Sequence, residues 1–371
     1  MSFSSSSHMV MIRLSALGDV ALTTGVLLHW QKALSLSFTV LTRESFVSLF
    51  EHHPAVREVV GLKPDDLHGR HQYRLFLKLA SRFRGVPLVD LHGSLRTRLL
   101  SALWKGPVHR YPKYGVTRCL FLLSGGRMGR SPLLARNVPQ RYAAALCSQR
   151  LDSKELCPCF VLTEEEKAWS LNILSSLTHH GRPVVALHPF AMHPAKTWPA
   201  EYWRELSLRL TRQGIAHFWI GRGDASAFTA SSGSSTISTR ASLAAKSPHA
   251  PISSLSLDMT NRTDLRQLIA LLARADVLIS GDSGPMHLAS GLATPVLALF
   301  GPTCREWGFF PAGECDCVLQ ASVACRPCSL HGKTGTTCGQ KCMRALTPEL
   351  VEEKLREILR SCSSGYPEAF P

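Results

Sequence analysis

The stretch Val277-Leu278-Ile279-Ser280-Gly281-Asp282-Ser283-Gly284-Pro285-Met286-His287-Leu288-Ala289-Ser290-Gly291-Leu292 decides the reading of this chain. Val277 to Ile279 read as a short buried strand and Gly281 to Gly284 as a tight loop. Pro285 suits the first turn of a helix, where its missing N–H has no partner to lose. That helix runs to Gly291, and Pro295 to Phe300 reads as the next strand. Asp282, Ser283 and His287 therefore lie where a strand ends and a helix opens. Open α/β sheets bind ligands there, and the free N–H groups favour an anion such as a phosphate. The same residues also read as a polar turn with a helix cap.

Working outward, strand and helix alternate along most of the chain. Met11 to Leu14 form a strand, Ser15 to Asp19 a loop, and Val20 to Leu34 a helix apolar at Leu22, Val26 and Trp30. Phe38 to Leu41, an edge strand at Val56 to Val60, and Pro87 to Asp90 follow, with a helical pattern over Tyr73 to Phe83. Such alternation indicates a parallel sheet with helical crossovers. Tyr111 to Arg141 is basic and rich in Gly and Pro. It reads as a long functional loop with short helices, or as a solvated excursion. Glu164 to Leu177 is helical, and Thr178 to Pro183 is the expected linker. Beyond it Val184 to Leu187 is a strand, Pro199 to Leu210 a helix closed by Gly214, and Ile215 to Ile220 the next strand. Residues 225–255 are rich in Ser, Ala and Thr, which predicts a helix and a mobile insert. Leu265 to Ala273 is amphipathic, and a last helix starts at Thr347-Pro348-Glu349. The expected domains are 10–178, 183–346, and a helix over 347–361 packing back toward the first domain.

A chain of 371 residues with a hydrophobic fraction of 45% has ample core for two domains. No apolar run is long enough to cross a bilayer, and the serine-rich Met1 to His8 has no apolar signal core. The expectation is a cytoplasmic protein. The net charge of +15 favours anionic partners: nucleic acid, phosphorylated sugars or an acidic lipid surface. Twelve cysteines in such a chain read mostly as free thiols.

Asp19, following Gly18 at the end of the first strand, is placed to take a proton from an attacking hydroxyl, or to cap the helix it opens. Lys196 lies in a loop at the mouth of the second half. It reads as a charge for a diphosphate leaving group or as an ordinary surface lysine. Asp224, after Gly221 and Gly223, suits ribose hydroxyls. No Gly-rich dinucleotide fingerprint or P-loop occurs at a strand–helix turn, which argues against an ordinary NAD or P-loop site. Cys325, Cys328, Cys338 and Cys342 form C-x2-C-x9-C-x3-C, the spacing of a closed structural zinc site or of free thiols. Cys315 and Cys317 read as bystanders, as do Cys157 and Cys159. The charge and the C-x2-C pair leave one rival, a basic zinc-knuckle protein binding nucleic acid, although no helix-turn-helix or aromatic RNA platform is visible.

Taken together, several stretches resemble one family. Arg13-Leu14-Ser15-Ala16-Leu17-Gly18-Asp19-Val20-Ala21-Leu22-Thr23-Thr24 looks like the opening of glycosyltransferase family 9, the ADP-heptose:lipopolysaccharide heptosyltransferases. Gly281 to Ala289 resembles its D-[ST]-G-x-x-H-x-A motif, and Phe300-Gly301-Pro302-Thr303 the F-G-P-T that follows. Asp90 to Thr97, Lys196-Thr197-Trp198-Pro199, the late cysteines and Thr347 to Val351 also match. The departures are Gly25, where the family usually has Pro, Asn261, where it often has Gly, and the insert after Asp224. The resemblance implies a GT-B architecture: two Rossmann-like α/β domains with parallel sheets facing across a cleft. It implies inverting transfer of heptose from ADP-heptose to a sugar of the lipopolysaccharide inner core, with a different nucleotide sugar as the alternative. Asp19 would be the general base. Lys196, Asp224, Asp282, Ser283, Gly284, Met286 and His287 would bind the donor. The basic Arg96, Arg98, Arg127 and Arg130 suit an acceptor carrying carboxylates and phosphates. No cofactor is expected for catalysis. A monomer working peripherally at the cytoplasmic face of the inner membrane, without nucleic acid, completes the expectation.

Overall fold

In the computed structural model, residues 7–178, 182–228, 255–329, 332 and 338–362 are described. Most of the Ser-rich insert expected at 225–255 lies outside them. The first lobe holds β1 (His8–Ile12), α1 (Leu17–Leu34), β2 (Ser37–Arg43), β3 (Val56–Leu62), α2 (Gly69–Arg82), β4 (Leu88–Asp90), α3 (Leu95–Leu103) and β5 (Val108–Arg110). Three short helices follow: α4 (Gly115–Leu123), α5 (Arg130–Ala135) and α6 (Val138–Ala143). Then come α7 (Glu164–Thr178), β6 (Val184–His188), α8 (Ala200–Arg212), β7 (Ala216–Trp219), β8 (Ser256–Asp258) and α9 (Leu265–Leu272). The chain closes with β9 (Val277–Gly281), α10 (Gly284–Ser290), β10 (Val296–Phe300), β11 (Cys317–Gln320), α11 (Lys341–Arg344) and α12 (Pro348–Cys362).

Two sheets result, ordered β3-β2-β1-β4-β5 and β11-β10-β9-β6-β7-β8, and every pairing between their strands is parallel. In the first sheet the strand order reverses between β1 and β4. In the second it reverses between β6 and β9. The carboxyl ends at such reversals are where α/β sheets open a ligand crevice. Asp19 and His92 follow the first pair, and His188 and Asp282 end or follow the second. The central strands are buried on both faces and read as apolar runs, as crossover helices on each side require, whereas the edge strands β3, β5, β8 and β11 are partly exposed.

One apolar cluster runs unbroken between the lobes, from Val26, Trp30 and Phe38 through α1 to Met286, Leu278 and Phe218. The expected domain limits need two corrections. Helix α7 packs on α9 and β7 of the second lobe, so the crossover lies ahead of it, over 144–163, and not at 178–183. Residues of this crossover lie in the groove between α1 and α10. The Cys159 N–H donates to Thr24 Oγ1, and Pro158 and Phe160 press on Gly291. Gly25 departs from the family pattern at this contact: a Cβ there would sit 2.0 Å from the Cys157 carbonyl oxygen. Helix α12, expected against the first domain, instead lies on α8 and β9. Its Val351, Leu355 and Ile358 recur at helical spacing and complete the core around Trp198, Trp203 and Ile279.

The cysteine expectations also change. Cys315, read as a bystander, is joined to Cys362 by a disulfide that ties the end of α12 to the turn before β11. The zinc expectation is not met by the described side chains. No three His, Cys, Asp or Glu among them are grouped to hold a metal. The four thiols are nevertheless neighbours: Cys338 meets Cys325, and Cys328 and Cys338 act on Cys342, which is 2% exposed at the edge of the apolar core.

Candidate active site

The site is assembled where the two reversals meet. Helices α1 and α10 point their first turns at one another, so two positive helix ends converge on one place. The approach depends on glycine. A Cβ on Gly18 would lie 2.5 Å from His287 Cδ2, and a Cβ on Gly284 would lie 2.6 Å from Leu17 Cδ2. No side chain larger than hydrogen allows this contact without displacement. Asp19, adjacent to Gly18, thereby comes to the same place as the Ser283–His287 turn.

On the first-lobe side Asp19 has three partners. Its Oδ2 accepts the Ala16 N–H at 3.2 Å, the helix-capping role that the sequence also allowed. Its Oδ1 meets the Arg13 guanidinium at 2.5 Å and accepts the Tyr142 hydroxyl proton at 2.9 Å. Burial opposes ionisation of this carboxyl. The Arg13 charge, the Ala16 N–H and the Tyr142 hydroxyl outweigh it and hold Asp19 below the usual carboxylate range. Arg13 is itself fixed by the Leu91 carbonyl at 2.6 Å and lies over the Tyr142 ring. Tyr111 meets that ring edge-on. Arg13 and Tyr142 were not singled out from sequence. Arg13 carried a signal, as the first residue of the Arg13–Asp19 motif. Tyr142 carried none, because it lies 123 residues from Asp19.

On the second-lobe side Lys196 is not a surface lysine. Its side chain is 15% exposed and its Nζ lies 2.6 Å from Asp282 Oδ2, which also accepts the Thr303 hydroxyl at 2.8 Å. The three motifs read separately in the sequence thus converge on one carboxylate. Behind it His188 Nδ1 contacts the hydroxyls of Ser280 and Ser283 at 3.0 and 3.2 Å. His287 is buried between Asp19 and Asp282, and burial drives it neutral, with a pKa of about 4. Gly284 and Met286 take their places in the first turn of α10.

Other expected residues are placed apart. Asp224 is exposed at the carboxyl end of β7, where its Oδ1 accepts the Ser226 N–H. That turn is held by Asn261, whose side chain bonds both the N–H and the carbonyl of Gly223. Asn261 takes a left-handed φ of 60°, which explains why Asn can stand where the family often has Gly. Arg98 and Arg127 are exposed, and Arg96 is half-buried at the start of α3. Arg130 is engaged elsewhere, paired with Glu306 of the second lobe at 3.1 Å. Sequence reasoning passed over Lys113, whose Nζ donates to the Gly93 carbonyl, and Arg118, which reaches the Trp307 carbonyl.

Comparison with known proteins bears on family and fold. Residues 88–333 match the profile of glycosyltransferase family 9 (heptosyltransferase). The chain is 27% identical over 187 residues to lipooligosaccharide heptosyltransferase 2 of Campylobacter jejuni, an alignment covering 50% of this chain and 54% of that one. It thus spans about half the length of that curated relative. Among solved structures, a glycosyl transferase family 9 protein of Veillonella parvula superposes with a TM-score of 0.71 at 19% identity, covering 96% of this chain and 98% of that one. The ADP-heptose LPS heptosyltransferase II of E. coli gives 0.67 at 20% identity, with 96% and 99% covered. These superpositions show the GT-B fold. The profile match reaches further, because it takes in Lys196, Asp282 and Thr303, the residues that meet in the second lobe. By that match the chain belongs to glycosyltransferase family 9.

Proposed function

We propose that this protein transfers heptose from ADP-heptose to a sugar of the lipopolysaccharide inner core, with inversion at the anomeric carbon. The observation that carries this reading is the contact of Gly18 with His287, which brings a carboxylate of one lobe to the anion-favouring turn of the other. In the reaction, Asp19 accepts the proton of an acceptor hydroxyl as its oxygen bonds to the anomeric carbon. The bond from that carbon to the diphosphate breaks, and ADP leaves with the electron pair. Lys196 faces the growing negative charge. A diphosphate there exchanges one anionic partner of Lys196, Asp282, for another, so the site needs no new cation. This reading requires no cofactor. Ser283, Gly284, Met286 and His287 hold the donor sugar and diphosphate, and Asp224 the ribose.

Arg96, Arg98 and Arg127 take the anionic groups of the acceptor; Arg130, bound to Glu306, serves the lobe contact instead. The enzyme works as a monomer at the cytoplasmic face of the inner membrane. No helix among the described residues is long and apolar enough to cross a membrane. The test is transfer from ADP-heptose to truncated core acceptors, with Asp19→Asn alongside. A loss of about 10²–10⁴-fold in kcat is expected for the variant. Wild-type turnover by Asp19→Asn removes it as the base. ADP-glucose or another nucleotide sugar outperforming ADP-heptose reassigns the donor.

A further inference from the structure

Between Asp90 and Asp152 the chain has no carboxylate side chain, yet it carries eleven Lys and Arg residues. This stretch folds into α3, β5, α4, α5 and α6. Helix α4 shows what the segregated charge accompanies. One side of it docks on the second lobe: Phe121 is buried edge-on against Trp307, with ring centroids 5.4 Å apart, and Arg118 bonds the Trp307 carbonyl. On the other side Val116, Leu120 and Leu123 recur at spacings of four and three, so they share a face, and they are 76%, 44% and 84% exposed. Helix α3 begins in the same way, with Leu95 and Leu99 at 84% and 37% exposure. The segments that lead into the two helices meet. Lys113, two residues before α4, donates to the carbonyls of His92 and Gly93, just ahead of α3.

A single exposed leucine means little, but apolar side chains repeated at helical spacing on two neighbouring helices form a patch. Here Arg98, Lys113 and Arg127 are exposed on the same helices or next to them. An occupant must supply both an apolar phase for Leu95, Val116, Leu120 and Leu123 and negative charge for the basic residues around them. Nucleic acid offers only the second. An anionic bilayer offers both, with acyl chains below and charged headgroups at the level of the guanidinium groups. We propose that the α3–α4 face docks this protein on an anionic phospholipid bilayer. The proposal rests on the membrane-face reading above and names the surface that performs it. The docking segment also supplies Lys113 and Arg118 near Asp19, so a docked lobe presents its acceptor side toward the lipid.

The experiment is co-sedimentation of the full chain with vesicles of phosphatidylcholine containing about one third phosphatidylglycerol, and with phosphatidylcholine alone. Wild type is expected to bind the anionic vesicles, to bind the neutral ones at least about tenfold more weakly, and to be released by salt. Leu120→Asp/Leu123→Asp, both exposed and away from the reacting groups, is expected to lose at least about tenfold in vesicle binding. It should keep the wild-type circular dichroism, and also wild-type transfer to a soluble, deacylated acceptor. Failure of wild type to bind anionic vesicles at low salt overturns the proposal, as does equal binding by the double variant. A self-association that the double variant abolishes, without vesicle binding by wild type, assigns the face to a second copy and also overturns it. Vesicle binding by a protein that transfers to no acceptor sinks the transferase reading and leaves the docking face intact.

Discussion

At the scale of single residues, the proposed chemistry depends on how Asp19 is held. A carboxylate that pairs with Arg13 and accepts the Tyr142 hydroxyl is ionised and fixed in direction, at the expense of basicity. Tyr142→Phe keeps the ring under Arg13 and removes one hydrogen bond to the charged form. The Asp19 carboxyl then titrates higher, and the acidic limb of kcat/KM should move to higher pH with the fold unchanged. A limb that stays in place would show that Tyr142 is structural only. Lys196→Ala should lower kcat by about 10²–10³-fold and weaken ADP binding, read by calorimetry. Lys196→Arg keeps the charge and should recover part of the loss. Unaltered ADP affinity in the alanine variant would separate Lys196 from the diphosphate.

At the scale of elements, the meeting of α1 and α10 governs the site. Gly18→Ala places a methyl against the His287 ring and should cost about 1–3 kcal/mol of stability, together with a fall in turnover as the helices part. Gly18→Ala/His287→Ala relieves the clash. In a thermal melt the double variant should regain most of the Tm lost by Gly18→Ala, whereas additive losses would deny the contact. Helix α12 is equally specific. Its Glu352 meets Arg209 of α8 at 3.3 Å and accepts from Gln213, beside an apolar stripe that completes the second core. The sequence revealed this helix by its Thr347 start and amphipathic period. It could not say which lobe it covers, because an apolar stripe specifies that a partner exists and not which one.

At the scale of the whole molecule, buried histidines make the fold acid-sensitive. Burial pushes His53, His188, His217 and His287 down to about 4 and His92 to about 3. Their folded pKa values lie below the unfolded value of about 6.5. The unfolded chain therefore takes up protons first, and stability present above about pH 6.5 is lost as pH falls toward 4. Each histidine should contribute on the order of 1 kcal/mol of this loss by pH 5.5. Urea denaturation at pH 7.5 and 5.5 should give a clearly lower midpoint at the lower pH. Equal midpoints would mean that these rings gain partners when protonated.

Local sequence fixed by itself what local physics controls. The alternating strands and helices, the glycine and proline punctuation of the Gly281–Pro285 turn, and the positions of Asp19, Lys196 and Asp282 in the segments after strands all follow from neighbours a few residues apart. Hence the two parallel sheets and most of the residues of the proposed site were legible before any coordinates. The short edge strands β5, β8 and β11 were not, because three or four partly exposed residues show neither a period nor the unbroken apolar run that betrays a buried strand. Only the tertiary structure decided which distant groups share a place. It set Tyr142 on Asp19, the Asp282 carboxylate between Lys196 and Thr303, Arg130 on Glu306, and Cys342 at the edge of the apolar core. It also moved α7 into the second lobe. These are contacts between segments far apart in the chain, chosen by how apolar faces pack and how buried charges find partners. No spacing along the chain records that choice.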